Sequence, residues 1–444
     1  MTSSARGFGA VLRNHHFLLL WLAQAFSQIA QNGANLVQIV LIETLTHSSG
    51  QIALMVLAFS LPAALLSMLA GVVVDRVSNR LILIASNALR VFFTLGFLLA
   101  FHGLTDWPAL VAIYVLTFIN SAIGQFFAPA EAATIPALVE RDALLSANAL
   151  FNLTMTAAQL IGLVLVFPLV LKFGNTLGPN RGLDVSFVLV AGMYAVAALL
   201  LAFLPKDKRR FHPQRITTFR ETMREVHAGW QYVRGNAAIY LPMLHLTVVA
   251  MLVMVLVTIG PGFASRVLGL SPEDAIYIFG PAGVGMLFST VLIGRFGQRF
   301  SRDRLPNVGQ MGMGLALFGL AVVGWASSSL RVRAMFSGLD YLPMVMALAL
   351  LLGFALALVA VPAQTSLQER APSELRGRVF ALLYTLTSLV VIVPLIFIGA
   401  LADLVGIPSV SLLVALLTFA AGTFGIVRGR AAPPLTTAEA GEHL

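Results

Sequence analysis

GVVVDRVSNR, residues 71–80, is a short polar link between two apolar runs, and GRFGQRFSRD at residues 294–303 is built alike. Each has a glycine, an arginine five residues later and a serine seven residues later, and the two copies stand 223 residues apart. Residues 52–74 and 81–101, on either side of the first copy, are each long enough for a helix that crosses a bilayer in about 20 residues. A second pair, FAPAEAAT (127–134) and AVPAQTSL (360–367), recurs at a spacing of 233 residues. Two recurrences at matching places argue for a parallel tandem repeat of one membrane-spanning unit.

Counting outward, apolar windows fall near 17–41, 52–74, 81–101, 108–128, 147–171 and 185–204, then 239–262, 275–294, 306–328, 341–362, 377–400 and 404–427. The expected fold class is therefore an all-α membrane protein, with twelve transmembrane helices in two six-helix bundles related by a parallel pseudo-repeat. Composition agrees. Of 444 residues, 58% are hydrophobic and 11% charged, where a soluble domain carries roughly 25% charged residues. Mean hydropathy is +0.90.

The basic residues set the orientation. Of 28 Lys and Arg, 22 lie in the termini and alternate loops on one side. Five (Lys172, Arg181, Arg266, Arg331 and Arg333) lie on the other, and Arg90 lies within a span. This bias places both termini in the cytoplasm. Trp107 and Trp325 then fall at the outer interface and Trp21 toward the inner one. The N-terminal run is too long for a cleavable leader and reads as the first span.

The expected organisation is a cytoplasmic N-terminus (1–16), a first six-helix bundle (17–204), a cytoplasmic linker (205–238), a second bundle (239–428) and a disordered tail (429–444). Within the linker Phe219, Met223, Val226, Trp230 and Val233 follow 4-3-4-3 spacing, one apolar face after a Thr218–Glu221 capping box. Such a helix could lie on the inner leaflet or pack on the protein's own cytoplasmic face.

The first span carries an unusual stripe. Gln24, Gln28, Gln31, Asn35 and Gln38 are spaced 4, 3, 4 and 3, one face of a helix, with Asn32 beside them. Lipid cannot satisfy amides. They line a water-filled cavity, or they bind helices together at about 0.6 kcal/mol per hydrogen bond; five in one stripe exceed what such binding needs. In span five Asn148, Asn152, Thr156 and Gln159 share a face, and span four adds Ser121 and Gln125. The matching spans of the second half are greasier, with His245, Thr247 and Thr258 in span seven. The residues expected at a substrate cavity are Gln24, Gln28, Gln31, Asn32, Asn35, Gln38, Arg90, Gln125, Asn152 and Gln159. A polar wall facing an apolar one suits a hydrophobic or amphipathic molecule better than a sugar.

Arg90 sits about ten residues into span three, roughly 15 Å deep at 1.5 Å per residue. Glu43 falls at the outer end of span one and Glu131 at the inner end of span four, so no carboxylate is expected beside it. Arg90 either faces the cavity or is held by carbonyls and amides. His245 could titrate near neutral pH, although a lone histidine in a span is more often simply hydrogen-bonded.

GVVVDRVSNR resembles the loop signature G-x-x-x-D-R-x-G-R-R/K of the major facilitator superfamily, at the expected place after span two. The resemblance covers residues 15–430. WLAQAFSQIAQNGA (21–34), FAPAEAATIPALVERDALLSANAL (127–150) and QERAPSELRGRVFALLYTL (368–386) look like its branch of bacterial multidrug, macrolide and siderophore exporters. The resemblance implies that Gly71, Asp75, Arg76 and Arg80 form a gating cluster that latches the cytoplasmic side shut in the outward-facing state. Gly71 would allow a helix to pack closely, and Asp75 suits a neighbouring helix N-terminus. Departures from the pattern are Gln298 opposite Asp75, Ser78 for a glycine, Leu163 after Gly162 where a Gly-Pro pair is common, and no carboxylate amid span one. With Glu43 and Glu131 expected near the surfaces, no single carboxylate is expected to be essential for proton-coupled turnover.

Other classes are excluded by their missing chemistry. The chain has no cysteine, and none of its three lysines follows a phosphate-cradling G-x-x-x-x-G. H-E-x-x-H and G-x-S-x-G do not occur. Neither enzymatic activity, catalytic residues, metal nor cofactor is expected, nor is nucleic acid a partner. The expected function is secondary active transport by alternating access, exporting a hydrophobic or amphipathic small molecule across the bacterial inner membrane. Two alternatives stay open: a lysophospholipid or lipid transporter between leaflets, and a non-transporting assembly factor with the same fold. The expected partners are an amphipathic substrate and membrane lipids, anionic on the cytoplasmic side; the chain is expected to act as a monomer.

Overall fold

The computed structural model describes residues 11–140, 143–205, 237–296, 304–328, 341–370, 383, 387 and 397–431. The linker helix, the second signature copy beyond residue 296, most of span eleven and the tail beyond residue 431 lie outside the described residues.

The first half consists of α1 (His15–Thr46), α2 (Ser49–Arg76), α3 (Asn79–Gly103) and α4 (Asp106–Leu138), then α5 (Leu144–Leu160), a π-helical segment (Ile161–Val166), α6 (Phe167–Asn175) and α7 (Arg181–Ala202). The second consists of α8 (Ala237–Gly262), a second π segment (Phe263–Val267), a 3₁₀ turn (Pro272–Ala275), α9 (Ile276–Phe296), α10 (Leu305–Ser328), α11 (Leu342–Arg370), a helix over 397–405 and α12 (Ile407–Ala431). Nine of the described helices are long and apolar enough to cross a membrane. α1 and α2, at 32 and 28 residues, are also long enough. With the helix over 397–405 they accord with twelve spans.

Short polar side chains set the helix starts. Asn14 accepts from the His16 and Phe17 backbone N–H groups, at 3.1 and 3.2 Å. Ser48 accepts from Gln51 N at 3.2 Å and Ser78 from Leu81 N at 3.4 Å, each satisfying an otherwise orphaned donor. The serine that stands where the family signature has glycine is thus the N-cap of α3. α1 ends at His47, whose φ of 47° is the left-handed stop.

Packing repeats between the halves. α2 lies on α4, and α3 on both α4 and α7; correspondingly α9 lies on α11, and α10 on both α11 and α12. The first half buries two apolar clusters. One is built around Val37, Phe97, Phe167 and Phe187, the other around Phe17, Leu83, Phe127 and Phe151. The second half's core gathers Ile259, Phe263, Leu317, Leu352 and Val410. The inter-half hydrogen bonds and ion pairs described below cluster at the end that holds Glu43, where α1, α2 and α6 meet α8, its π segment and the 3₁₀ turn.

Candidate functional site

α1 packs on α7, the π segment and α5 of the first half and also touches α8 of the second. Ala30 and Val37 are fully buried in the core, on the face opposite the amides. The stripe divides by depth. Gln24 and Gln38, at 1% and 3% exposure, are enclosed. The Thr117 hydroxyl lies 2.9 Å from Gln38 Oε1 and 2.8 Å from the Ile113 carbonyl oxygen. Gln28, Gln31, Asn32 and Asn35, between them, are half-buried. Gln31 Nε2 donates to Asn35 Oδ1 at 3.2 Å, and Asn32 Nδ2 donates to the Gln28 carbonyl at 2.8 Å. The middle of the stripe therefore holds amides that are oriented by neighbours yet accessible. On α5, Asn152 and Gln159 are exposed together with Asn148 and Thr156; on α4, Gln125 is half-buried and donates to the Ser121 carbonyl at 3.4 Å.

α8 presents a different surface. Its threonines are spent on their own helix, Thr247 donating to the Met243 carbonyl and Thr258 to that of Met254, both at 2.9 Å. His245 is half-buried and hydrogen-bonded to Asn307. Of its half-buried apolar residues, Met254 and Val257 pack on the first half's core, while Met251, Val253 and Leu256 pack on the second half's own. The first half thus carries the accessible amides, and α8 offers it methyls and thioethers through Met254 and Val257.

Arg90 is enclosed, at 5% exposure. Its guanidinium carbon is 5.3 Å from the Tyr194 ring centroid and 5.8 Å from that of Phe127, an aromatic clasp with cation–π character. Gly124 makes room for it, since a Cβ there would fall 2.3 Å from Nη2. Tyr194 in turn reaches Gln31 Oε1 at 3.5 Å. Close by, Ser27 Oγ donates to Asn87 Oδ1 at 2.7 Å.

The expectation that no carboxylate stands near Arg90 is corrected. Glu131 is close enough for the Arg90 charge to act on it, and it is 7% exposed rather than solvated at a surface. The apolar window ended at residue 128, but α4 continues to Leu138 and carries Glu131 two turns inside its end. Among the described residues, Glu131 Oε1, Arg90 Nε and both amide atoms of Gln24 are enclosed without a hydrogen-bond partner. Glu43, expected at an outer surface, is fully buried as well. Sequence reasoning also missed Tyr194, whose hydroxyl gave no signal beyond its place in an apolar run.

At the opposite end of the first bundle from Glu43, α2 closes with Gly71, Asp75 and Arg76. Among the described residues nothing lies within 4 Å of a Cβ on Gly71, and Arg76 is exposed. Arg80, in the first turn of α3, donates through Nη2 to the Ala202 carbonyl at the end of α7. Among the described residues no group of three or more His, Asp or Glu could hold a metal.

Comparison with known proteins fits this architecture. The family model described as Major Facilitator Superfamily matches residues 20–337. The uncharacterized MFS-type transporter YfiS of Bacillus subtilis (strain 168) is 24% identical over 413 residues, 89% of each chain. YkuC of the same organism is 24% identical over 236 residues, 51% of each chain. Among solved structures, an inward-facing bacterial homologue of the iron transporter ferroportin has a TM-score of 0.69 at 17% identity, covering 94% of this chain and 99% of that one. The nucleoside transporter NupG gives 0.67 at 12% identity, covering 93% and 98%. A bacterial homolog of the lysosomal transporter Spinster gives 0.63 at 16%, covering 94% and 97%. At these identities the likeness is one of fold.

Proposed function

Because the chain belongs to the Major Facilitator Superfamily and is a multi-pass membrane transporter rather than an enzyme, we propose that it exports a hydrophobic or amphipathic small molecule by alternating access. The observation that carries this reading is the accessible middle of the α1 stripe, Gln28, Gln31, Asn32 and Asn35, in a first half on which Met254 and Val257 of α8 pack. Amides offer donors and acceptors without a fixed charge. A molecule with one polar edge and a greasy body can satisfy both walls, whereas a sugar would leave hydroxyls unpaired on the α8 side.

In this reading the chain lies in the bacterial inner membrane as a monomer, termini in the cytoplasm, basic loops on anionic lipid. The residue bias of 22 against five supports that orientation. The Glu43 end is then the outer end, and the polar contacts that join the halves there support an inward-facing conformation. Gly71, Asp75, Arg76 and Arg80 are assigned to the cytoplasmic gate, which engages only in the outward-facing state. Asp75→Asn therefore favours the inward-facing population. Spin labels at Leu81 and Val308, both exposed toward the inner end, read this as a longer distance.

The function is tested by loss of a dye and antibiotic panel from cells that express the protein, with and without a proton uncoupler, and by flux in liposomes. Export of amphipathic compounds, lost on Gln31→Ala with Asn35→Ala, is the expected result. Flux of lysophospholipid instead would identify a lipid transporter. No flux of any compound would leave a non-transporting assembly factor.

A further inference from the structure

Asp403 belongs to the second half, yet its carboxylate caps a helix of the first. Its Oδ1 accepts from the Ser49 backbone N–H at 2.9 Å, and its Oδ2 accepts from the Gly50 N–H at 2.9 Å and from the Ser48 hydroxyl at 2.6 Å. These are the first backbone donors of α2, the positive end of the helix dipole. The approach is too close for larger residues. A Cβ on Gly399, one turn before Asp403, would fall 2.7 Å from the Ser49 carbonyl oxygen and 2.9 Å from Ala53 Cβ.

Arg266 locks the contact from the side. Its Nη1 donates to Asp403 Oδ1 at 2.8 Å, its Nη2 donates to the Ser49 hydroxyl, and its Nε lies 3.3 Å from Glu43 Oε1. Ser265 donates to the same Glu43 oxygen at 2.5 Å. The π turn Phe263–Val267 places Ser265 and Arg266 on successive residues so that both reach Glu43. Six of these polar contacts cross between the halves at this end: Ser48, Ser49 and Gly50 to Asp403, Arg266 to Ser49 and Glu43, and Ser265 to Glu43.

We propose that Asp403 is the acidic latch that holds the Glu43 end closed, and that it competes with Asp75, the acidic latch of the opposite end, to set the resting conformation. α2 is common to both. It begins at the residues that Asp403 caps and ends at Asp75, about 40 Å away at 1.5 Å per residue. Rocking one half against the other withdraws Asp403 from the start of α2 as it brings Asp75 toward its own partner. Charge-assisted hydrogen bonds to a helix terminus are strong enough to hold such an end and few enough to release together. This inference rests on the alternating-access reading above, but its readout is distance rather than flux. The two can therefore fail separately.

The test uses the full-length chain, which has no native cysteine, spin-labelled at Leu177 and Leu404 on the two halves of the Glu43 end, both exposed. Asp403→Asn, which keeps the shape and removes the charge, should raise the long-distance population about tenfold. Ser48→Ala, which removes one of the bonds, should raise it less. Asp75→Asn should lower it, and Asp75→Asn with Asp403→Asn should return toward wild type. An unchanged distribution in Asp403→Asn, or in Ser48→Ala if the first variant does not fold, overturns the latch. A double variant that behaves like Asp403→Asn alone overturns the competition. Absence of flux in a protein whose distances shift as described would count against the transport reading and leave the latch standing.

Discussion

The ring of Phe167 lies against the bare Cα of Gly33: a Cβ on Gly33 would fall 2.0 Å from Phe167 Cε2. One turn earlier in span five, a Cβ on Gly162 would fall 2.8 Å from the Ile29 carbonyl oxygen and 3.0 Å from Asn32 Cβ. Two glycines therefore bring α1 and the π segment Ile161–Val166 into backbone contact just behind the accessible amides. Phe167 is fully buried and cannot swing away. Gly162→Ala and Gly33→Ala should each cost about 1–3 kcal/mol by overpacking. A lower melting temperature in detergent should accompany reduced transport. Wild-type stability in both variants would mean that this crossing can open freely.

The orientation of α1 gives a chemical prediction. Cysteine at Gln28 or Gln31 should react with a small aqueous thiol reagent, because both positions are half-buried on the open face. Cysteine at Ala30 or Val37 should be protected, because both lie in the core. Gln24 and Gln38, enclosed at the two ends of the stripe, should give intermediate or slow reaction that rises as the protein cycles. Equal protection at all six positions would assign the stripe to interhelical hydrogen bonding.

Much of this architecture is legible in the sequence. Apolar windows locate the spans, the two signature copies imply the repeat, and amide spacing identifies the face of α1 that departs from the core. What is not legible depends on residues distant in the chain. Ser48 and Asp403 are 355 positions apart, and an aspartate between two apolar runs reads as ordinary loop charge. Glu131 was misplaced because hydropathy marks where apolar residues stop, whereas α4 continues ten residues further with Pro129 and Pro136 inside it. The π turns at Ile161–Val166 and Phe263–Val267 leave no pattern in side-chain spacing short enough to recognise.

The corrected position of Glu131 changes the expectation for energy coupling. Glu43 is held by Ser265 and Arg266 at the closed end, and Asp75 sits at a helix terminus. Glu131 is a carboxylate within the first bundle with an enclosed, unpartnered oxygen and a cation nearby. An ionised carboxylate with an enclosed oxygen left unpartnered is costly in such a place, and taking up a proton lowers that cost. In proteoliposomes an imposed pH gradient should therefore accelerate wild-type transport, and Glu131→Gln should abolish the acceleration while Glu43→Gln and His245→Gln retain it. Loss in His245→Gln with retention in Glu131→Gln would move the proton site to α8. No acceleration of wild type would return the driving force to the substrate's own gradient.

Asp403 supplies the pH dependence of the closed end. Burial alone would raise its pKa, but the bonds from Ser48, Gly50, Arg266 and Ser49 outweigh burial and hold it below the ordinary value of 3.8. Opening exposes the carboxylate to water and returns it to that ordinary value, so opening takes up protons. The stabilisation is thus fully present above pH 3.8 and is lost as pH falls through the lowered value of the closed state. Among the described residues the charged groups facing Asp403 are Arg266 and beyond it Glu43, which shares Arg266. Distances between labels at Leu177 and Leu404 should be unchanged from pH 7 to about 5 and should lengthen only below about 4, where carboxylates protonate. Asp403→Asn should already be lengthened at neutral pH and should lose most of this acid step; a step of wild-type size in that variant would show that Asp403 is not the titrating group.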